Sequence, residues 1–153
     1  MFGKIDLKSW PLFFLFVSFS SCFLPVSSFC EPPAIKQVCL KDRCLSVEIA
    51  DTNIQRALGL QGRKELAEDA GMLFIFDAQD LYDFWMKDTL LSLDMIWIDQ
   101  DRKVVDIKSH VPPCAGDPCA IYTPAGKAKY VLEIKAGQSD VFKLHVGDEL
   151  LFK

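Results

Sequence analysis

The sequence predicts one small, mainly β domain of sandwich-like or barrel-like form, with one or two short helices. Its 153 residues suit a single compact domain, and short apolar stretches recur between turn signals. Half of the residues are apolar and the formal net charge is −4. This composition argues against intrinsic disorder, and also against nucleic-acid binding, which needs a basic face.

The first 28 residues are predicted to be a signal peptide, because two early lysines precede an apolar stretch from Trp10 to Phe19 and then Ser-rich sequence. Two alternatives stay open. Cys22 fits a lipidation site, and the uncharged residues 9–30 are long enough for a membrane anchor. All three interpretations predict an exported protein that is periplasmic, extracellular or membrane-anchored, and they allow membrane contact only through this segment.

Residues 29–35 are predicted to be a linker, in which the state of Cys30 stays unassigned, and residues 36–153 a single β-rich domain. A further short helix is predicted at 139–144. Eight apolar runs bounded by turn residues are the predicted strands: 36–40, 44–50, 71–76, 82–87, 93–99, 103–109, 128–134 and 149–152.

The best-signalled helix begins after residue 52. Thr52 and Gln55 have the spacing of a capping box, in which the two side chains satisfy free backbone amides at the helix start. Ile54 and Leu58 supply an apolar stripe, and Gly59 is placed to end the helix in the left-handed conformation.

Two cysteine pairs, Cys39/Cys44 and Cys114/Cys119, share the spacing C-x4-C, and in an exported protein each pair predicts a local disulfide. Cys44 lies on the polar face of an alternating strand, and pairing with Cys39 across a hairpin keeps both alternations in phase. The alternative is one zinc ion held by all four thiolates. The oxidising compartment favours disulfides, so no metal or cofactor is predicted, and His110 is interpreted as a loop residue.

Asp94 is the leading candidate for chemistry, because it interrupts an apolar run from Leu90 to Ile98. An unpaired buried carboxylate costs several kcal/mol, so Asp94 must be paired or must face a polar cleft. The preferred interpretation is a salt bridge to Lys87, Arg56 or Arg63. The alternative is a carboxyl group with a shifted pKa in a ligand cleft.

Trp85 and Met86 are predicted to be core residues, one on each face of a strand; the alternative is that they line a binding groove. The sequence shows no Ser-His-Asp order, metal-type histidine pair, Gly-rich phosphate loop or nucleotide fingerprint.

Five segments together resemble the domain of unknown function 192 (DUF192) family, from about Val47 to the C-terminus. They are 59–63 (GLQGR), 71–76 (GMLFIF), 84–89 (FWMKDT), 93–94 (LD) and 130–137 (YVLEIKAG). The resemblance implies an exported bacterial or archaeal protein with one small, mainly β, sandwich-like domain, and it implies no particular activity. Carried over position by position, the candidate site residues are Arg56, Gly59, Arg63, Trp85, Met86, Lys87, Thr89 and Asp94.

The sequence departs from the usual family pattern in three places. Gln61 stands where methionine is frequent, Asp88 replaces a common asparagine, and Ser92 replaces a proline. If members of the family share a ligand that needs the asparagine amide, this protein binds it differently.

Two functions are compatible with these features. The leading hypothesis is a non-catalytic, monomeric exported domain that binds a small molecule, a glycan or an envelope partner. The alternative is a small envelope hydrolase with Asp94 and Lys87 as acid–base partners, which requires the two groups to lie within hydrogen-bond reach in an open cleft.

Overall fold

The structure is a computed structural model that describes residues 35–153. The predicted signal peptide or anchor, lipidation at Cys22 and the state of Cys30 lie outside the described residues. None of the helices in the described part is both long and apolar enough to cross a membrane.

The described chain is mainly β and confirms the predicted fold class, in its barrel-like form. The nine strands of this part are β1 (Gln37–Leu40), β2 (Arg43–Ala50), β3 (Ala70–Asp80), β4 (Phe84–Trp85), β5 (Leu93–Ile98), β6 (Val104–Val111), β7 (Ile121–Tyr122), β8 (Ala128–Lys135) and β9 (Leu151–Phe152). Its two helices are α1 (Asn53–Leu58) and α2 (Gln138–Phe142).

Seven strands form one sheet in the order β6-β5-β8-β3-β2-β1-β9, and β4 pairs with β7 in a separate two-stranded sheet. Only β2 and β3 run parallel among these pairs. The sheet curls into a half-barrel. The N–H of Val104 donates to the carbonyl of Asp148 and the N–H of Leu150 donates to the carbonyl of Arg102, both at 2.9 Å, so the segment before β9 lies against the start of β6.

Both faces of the sheet are covered by apolar side chains, because alternate residues of a strand point to opposite faces. Leu73, Ile96 and Leu132 belong to one buried cluster. Phe74 and Trp97 belong to a second cluster on the other face. The interior strand β5 is therefore buried along its whole length, which explains why its sequence is an apolar run and does not alternate.

Several boundaries differ from those predicted. Strand β3 continues to Asp80, and the predicted strand at 82–87 shrinks to the two residues of β4. Strand β7 was not predicted, because two residues are too few to show an alternating pattern. The second helix lies at Gln138–Phe142, one residue before its predicted start.

The structure contains both predicted disulfides, Cys39–Cys44 and Cys114–Cys119. Cys39 lies opposite Cys44, and Val38 lies opposite Leu45, which is the predicted hairpin register. The four sulfur atoms are therefore paired locally, and the described residues contain no cluster that could hold a metal ion.

Helix α1 begins with the predicted capping box between Thr52 and Gln55. Its apolar stripe, however, is not buried: the exposed fractions of Ile54 and Leu58 are 82% and 59%. Gly59 ends the helix with positive φ (49°), but its ψ of −134° lies outside the left-handed helical region that was predicted. A Cβ at this position would lie 3.3 Å from the ring of Phe74, so glycine also allows α1 to approach β3 closely.

Candidate functional site

A cavity of about 230 Å³ lies between α1, β3 and β4. We call it the aromatic cavity, because Phe74, Phe76, Phe84 and Trp85 all line it. The residues of α1 and of the turn that follows it, at 57–61, complete the lining on another side. Of the exposed apolar stripe of the helix, Leu58 lines the cavity.

The aromatic lining is held in place by ring contacts. Phe84 meets Phe74 edge to face at a centroid distance of 5.0 Å and meets Trp97 at 5.9 Å. Such pairs contribute roughly 0.5–1.5 kcal/mol each beyond the area that they bury. Trp85 follows Phe84 in β4 and is half-exposed (50%), so it was wrongly predicted as a core residue. Met86, at 2% exposure, is buried as predicted.

Arg56 is fixed at the cavity by three hydrogen bonds of 2.6 Å. Its Nη1 donates to the carbonyl oxygens of Asp51 and Ile75, and its Nη2 donates to Oδ1 of Asn53. The guanidinium also lies over the ring of Phe76, 5.1 Å from its centroid. All these partners are neutral groups, so none of these bonds neutralises the positive charge that Arg56 places beside the cavity.

Lys87 also lines the cavity, and its Nζ lies 5.7 Å from the centroid of the Trp85 ring. Within residues 35–153, neither Lys87 nor Arg56 takes part in an ion pair. Thr89 lines the cavity as well, with its backbone and side chain mostly buried.

Besides the phenylalanines that line this cavity, sequence analysis missed Glu133. It lies in β8 between Met72 of β3 and Met95 of β5, and only 5% of its surface is exposed. In the described part of the chain, no group hydrogen-bonds to its carboxyl, although no side-chain polar atom there is both fully buried and unpaired. Burial raises the pKa of Glu133 to about 8, because a charged carboxylate is poorly solvated there. At neutral pH the carboxyl is therefore mostly protonated and can donate a hydrogen bond.

A signal for Glu133 was present in the sequence. It is a charged residue inside the apolar run from Val131 to Ile134, the same pattern that singled out Asp94. The pattern identifies a carboxyl group that must be buried, but it does not show which of the two is already satisfied by the protein.

Asp94 is fully buried, with 0% exposure, and its carboxylate accepts three hydrogen bonds. The N–H of His110 donates to Oδ1 at 2.7 Å, and the N–H and Oγ of Ser139 donate to Oδ2 at 2.8 and 2.7 Å. The predicted salt bridge to Arg56, Lys87 or Arg63 is therefore wrong. Hydrogen-bond donors, two of them backbone amides, stabilise the charge in place of a cation.

These bonds give Asp94 a structural role. Ser139 lies in the first turn of α2, whose N-cap residue is Gly137 and has no side chain to cap the helix. Asp94 supplies the missing acceptor from β5, and through His110 it also holds the end of β6. No substrate can reach a carboxylate with no exposed surface, so the structure does not support the acid–base pair of Asp94 and Lys87.

Arg63 lies away from the aromatic cavity and pairs with Glu48 through two hydrogen bonds, of 2.6 and 2.5 Å. The bond from Arg63 lowers the pKa of Glu48. Of the eight candidate residues, the structure brings together five at the cavity: Arg56, Gly59, Trp85, Lys87 and Thr89. The other three, Arg63, Met86 and Asp94, lie elsewhere.

The family model described as "Uncharacterized ACR", DUF192, matches residues 36–152. The chain belongs to the DUF192 family. A UPF0127 protein of Pyrococcus abyssi is 34% identical over 109 residues, which cover 68% of this chain and 83% of that protein. A UPF0127 protein of Thermococcus sibiricus is 32% identical over 109 residues and 68% of this chain, and the match spans 64% of its own length.

A solved structure with the same fold comes from Novosphingobium aromaticivorans and is described as a protein of unknown function. It has a TM-score of 0.70 and 29% sequence identity to this DUF192 protein, over 79% of this chain and 89% of the other. The half-barrel is therefore an architecture that this protein shares with a crystal structure.

One of the three departures from the usual family pattern has a backbone explanation. Asp88 adopts positive φ (54°), a conformation that asparagine and aspartate tolerate better than most residues. Its carbonyl accepts the N–H of Gly62 at 2.9 Å. Ser92 contributes its carbonyl to the N–H of Ala136, a bond that proline could also accept. Gln61 alone of the three lines the aromatic cavity.

Proposed function

We propose that this DUF192 protein is an exported, monomeric binding domain that holds a small molecule in the aromatic cavity. One observation carries the proposal: the carboxyl-bearing residue Glu133 lines a cavity with aromatic walls, and none of the described residues hydrogen-bonds to its side chain. Polar groups in protein interiors are nearly always hydrogen-bonded. A ligand in the cavity would supply Glu133 with a partner that the described residues do not.

The position of Glu133 costs stability, which supports a functional role. With a pKa of about 8 against 4.5 for an ordinary glutamate, the free energy of unfolding at pH 7 is lowered by about 3 kcal/mol relative to an unshifted carboxyl. A methionine would suit the site better, since Met72 and Met95 flank it. Residues that break the rules of core composition in this way are concentrated at functional sites.

The dimensions of the cavity favour a small ligand. Pockets that hold drug-sized molecules have volumes of roughly 300–1,000 Å³, and this cavity is smaller, at about 230 Å³. A small metabolite or one residue of a glycan fits this volume. The half-exposed ring of Trp85 offers a flat apolar surface on which a ring could stack.

Export is supported by the two disulfides, because such bonds persist in oxidising compartments and are rare in the cytosol. An exported domain meets metabolites and glycans outside the cytoplasm. Ligands of the proposed kinds are therefore available to it.

A ligand screen by NMR tests the proposed function. Small metabolites and monosaccharides are added to the ¹⁵N-labelled protein, and we expect at least one to shift the indole signal of Trp85 at millimolar concentration. The variant Trp85→Ala should weaken that binding at least ten-fold. Leu151→Ala, a matched control at a similarly exposed apolar residue outside the cavity, should leave it unchanged. Binding that Trp85→Ala does not affect would contradict the proposal.

A further inference from the structure

We propose, as a consequence of the proposed function, that the ligand is a small organic acid whose carboxylate is recognised by Lys87, Arg56 and the carboxyl of Glu133. The first argument is the charge of the lining. Two of its cations have no ion pair within the described residues, whereas the chain as a whole carries a net charge of −4. A local excess of positive charge on an acidic protein attracts anions.

The second argument concerns hydrogen bonding. Lysine and arginine are donors only, and a protonated carboxyl adds an O–H donor. A carboxylate is an acceptor only, so it complements the donors of each of these groups. The lining also includes Asp83, but the hydroxyl of Thr123 already donates to this carboxylate at 2.6 Å.

The third argument disfavours a cationic ligand. Aromatic cavities can bind cations over the faces of their rings. Here Arg56 already occupies a face of Phe76, and Tyr82 is stacked on that ring at a centroid distance of 3.6 Å. Lys87 lies over Trp85. At these two rings an incoming ammonium group would meet the positive charges of the protein itself.

Binding of a carboxylate at this site depends on pH through Glu133. The charged or titratable groups that line the cavity with it are Arg56 from α1, and Asp83 and Lys87 from either side of β4. On the sheet its neighbours are Met72 and Met95, which do not titrate. Above the pKa of about 8, the glutamate becomes an anion and opposes the ligand. The association constant should then fall about ten-fold per pH unit, as linkage requires when only the protonated form binds.

The test compares compounds that share a ring and differ in one group. The first set is benzoate, benzamide, benzylamine and phenyl phosphate, and the second is glucuronate, glucose, glucosamine and glucose 6-phosphate. Dissociation constants are measured at pH 6.5 and 9.5 from NMR shifts of the cavity residues. We expect the carboxylate of at least one set to bind at least ten-fold more tightly than the other three members at pH 6.5, and to bind at least ten-fold more weakly at pH 9.5.

Three variants identify the groups responsible. Lys87→Met should weaken carboxylate binding at least ten-fold, and Lys127→Met, which removes an exposed lysine outside the cavity, should not. Glu133→Gln keeps the shape of the side chain and cannot ionise, so its binding at pH 6.5 and 9.5 should be equal.

The outcomes separate this inference from the proposed function. If a neutral, cationic or phosphorylated member binds in the cavity as well as its carboxylate does, the ligand class is wrong and the binding function stands. If Glu133→Gln keeps the pH dependence, the role of Glu133 is refuted. If no member of either set and no compound of the wider screen shifts the cavity residues, both proposals fail.

Discussion

The substitution Glu133→Gln should make the protein more stable at alkaline pH, although it changes a buried residue. The pKa of Glu133 is raised from 4.5 to about 8 because the folded protein buries the carboxyl. Between these two values the folded state binds more protons than the unfolded state. The free energy of unfolding therefore falls as the pH rises from about 4.5 to about 8, and above that range this group causes no further change.

The magnitude follows from the shift. A difference of about 3.5 pKa units, at 1.36 kcal/mol per unit, corresponds to a loss of roughly 5 kcal/mol over the full range. A typical domain has only about 5–15 kcal/mol of stability in total. Glutamine has the same shape and no charge at any of these pH values, so the variant does not incur this loss.

Urea denaturation at pH 5.5 and 8.5 measures the effect. The stability of the wild type minus that of Glu133→Gln should fall by roughly 3 kcal/mol between these two pH values. Glu65→Gln is the matched control, because Glu65 is exposed and its removal should cause no comparable change. If the two proteins kept the same difference in stability at both pH values, the carboxyl would not be desolvated and the argument for a ligand partner would fail.

Three further predictions concern elements that the structure holds by defined bonds. Asp94→Ala removes the acceptor of several buried donors, among them the N–H and Oγ of Ser139. The free energy of unfolding, measured by urea denaturation, should fall by roughly 3–5 kcal/mol. Asp94→Asn should be nearly as harmful, because its NH₂ group must face a donor. A mild effect would refute the assignment of both Asp94 oxygens as hydrogen-bond acceptors. Replacing both Cys39 and Cys44 by serine should cost roughly 2 kcal/mol, the chain-entropy value for so short a loop, and an unchanged thermal midpoint under oxidising conditions would contradict it. Thr52→Ala should cost about 1 kcal/mol through loss of the cap, measured in the same urea assay, whereas Thr52→Ser should be close to neutral.

Features that depend on residues close in sequence could be predicted. The hairpin register around Cys39 and Cys44 follows from two alternations that must agree, and the capping box of α1 needs only Thr52 and Gln55. The family resemblance was also carried by short segments, and it is confirmed by the match over residues 36–152. In each case the information lies within a few consecutive residues of the chain.

Features that depend on distant partners could not be predicted. The acceptor role of Asp94 is set by backbone amides of His110 and Ser139, which are 16 and 45 residues away in the sequence. A cation was the expected partner because side-chain charges are visible in a sequence, whereas free backbone amides are not. The exposure of Ile54 and Leu58 is a second example, since a helical stripe shows which residues share a face but not whether another element covers that face.

The comparison of Asp94 with Glu133 explains why the second carboxyl, and not the first, indicates a ligand. The two residues lie on adjacent strands, where Asp94 is opposite Ile134 and Glu133 is opposite Met95. They therefore point to opposite faces of the same sheet. Both carboxyls are buried, yet the protein supplies Asp94 with three donors and supplies Glu133 with none in its described part. A carboxyl satisfied by the fold stabilises the fold. A carboxyl left without a partner beside an aromatic cavity lowers stability, and binding of a molecule that accepts its proton in a hydrogen bond would compensate for that loss.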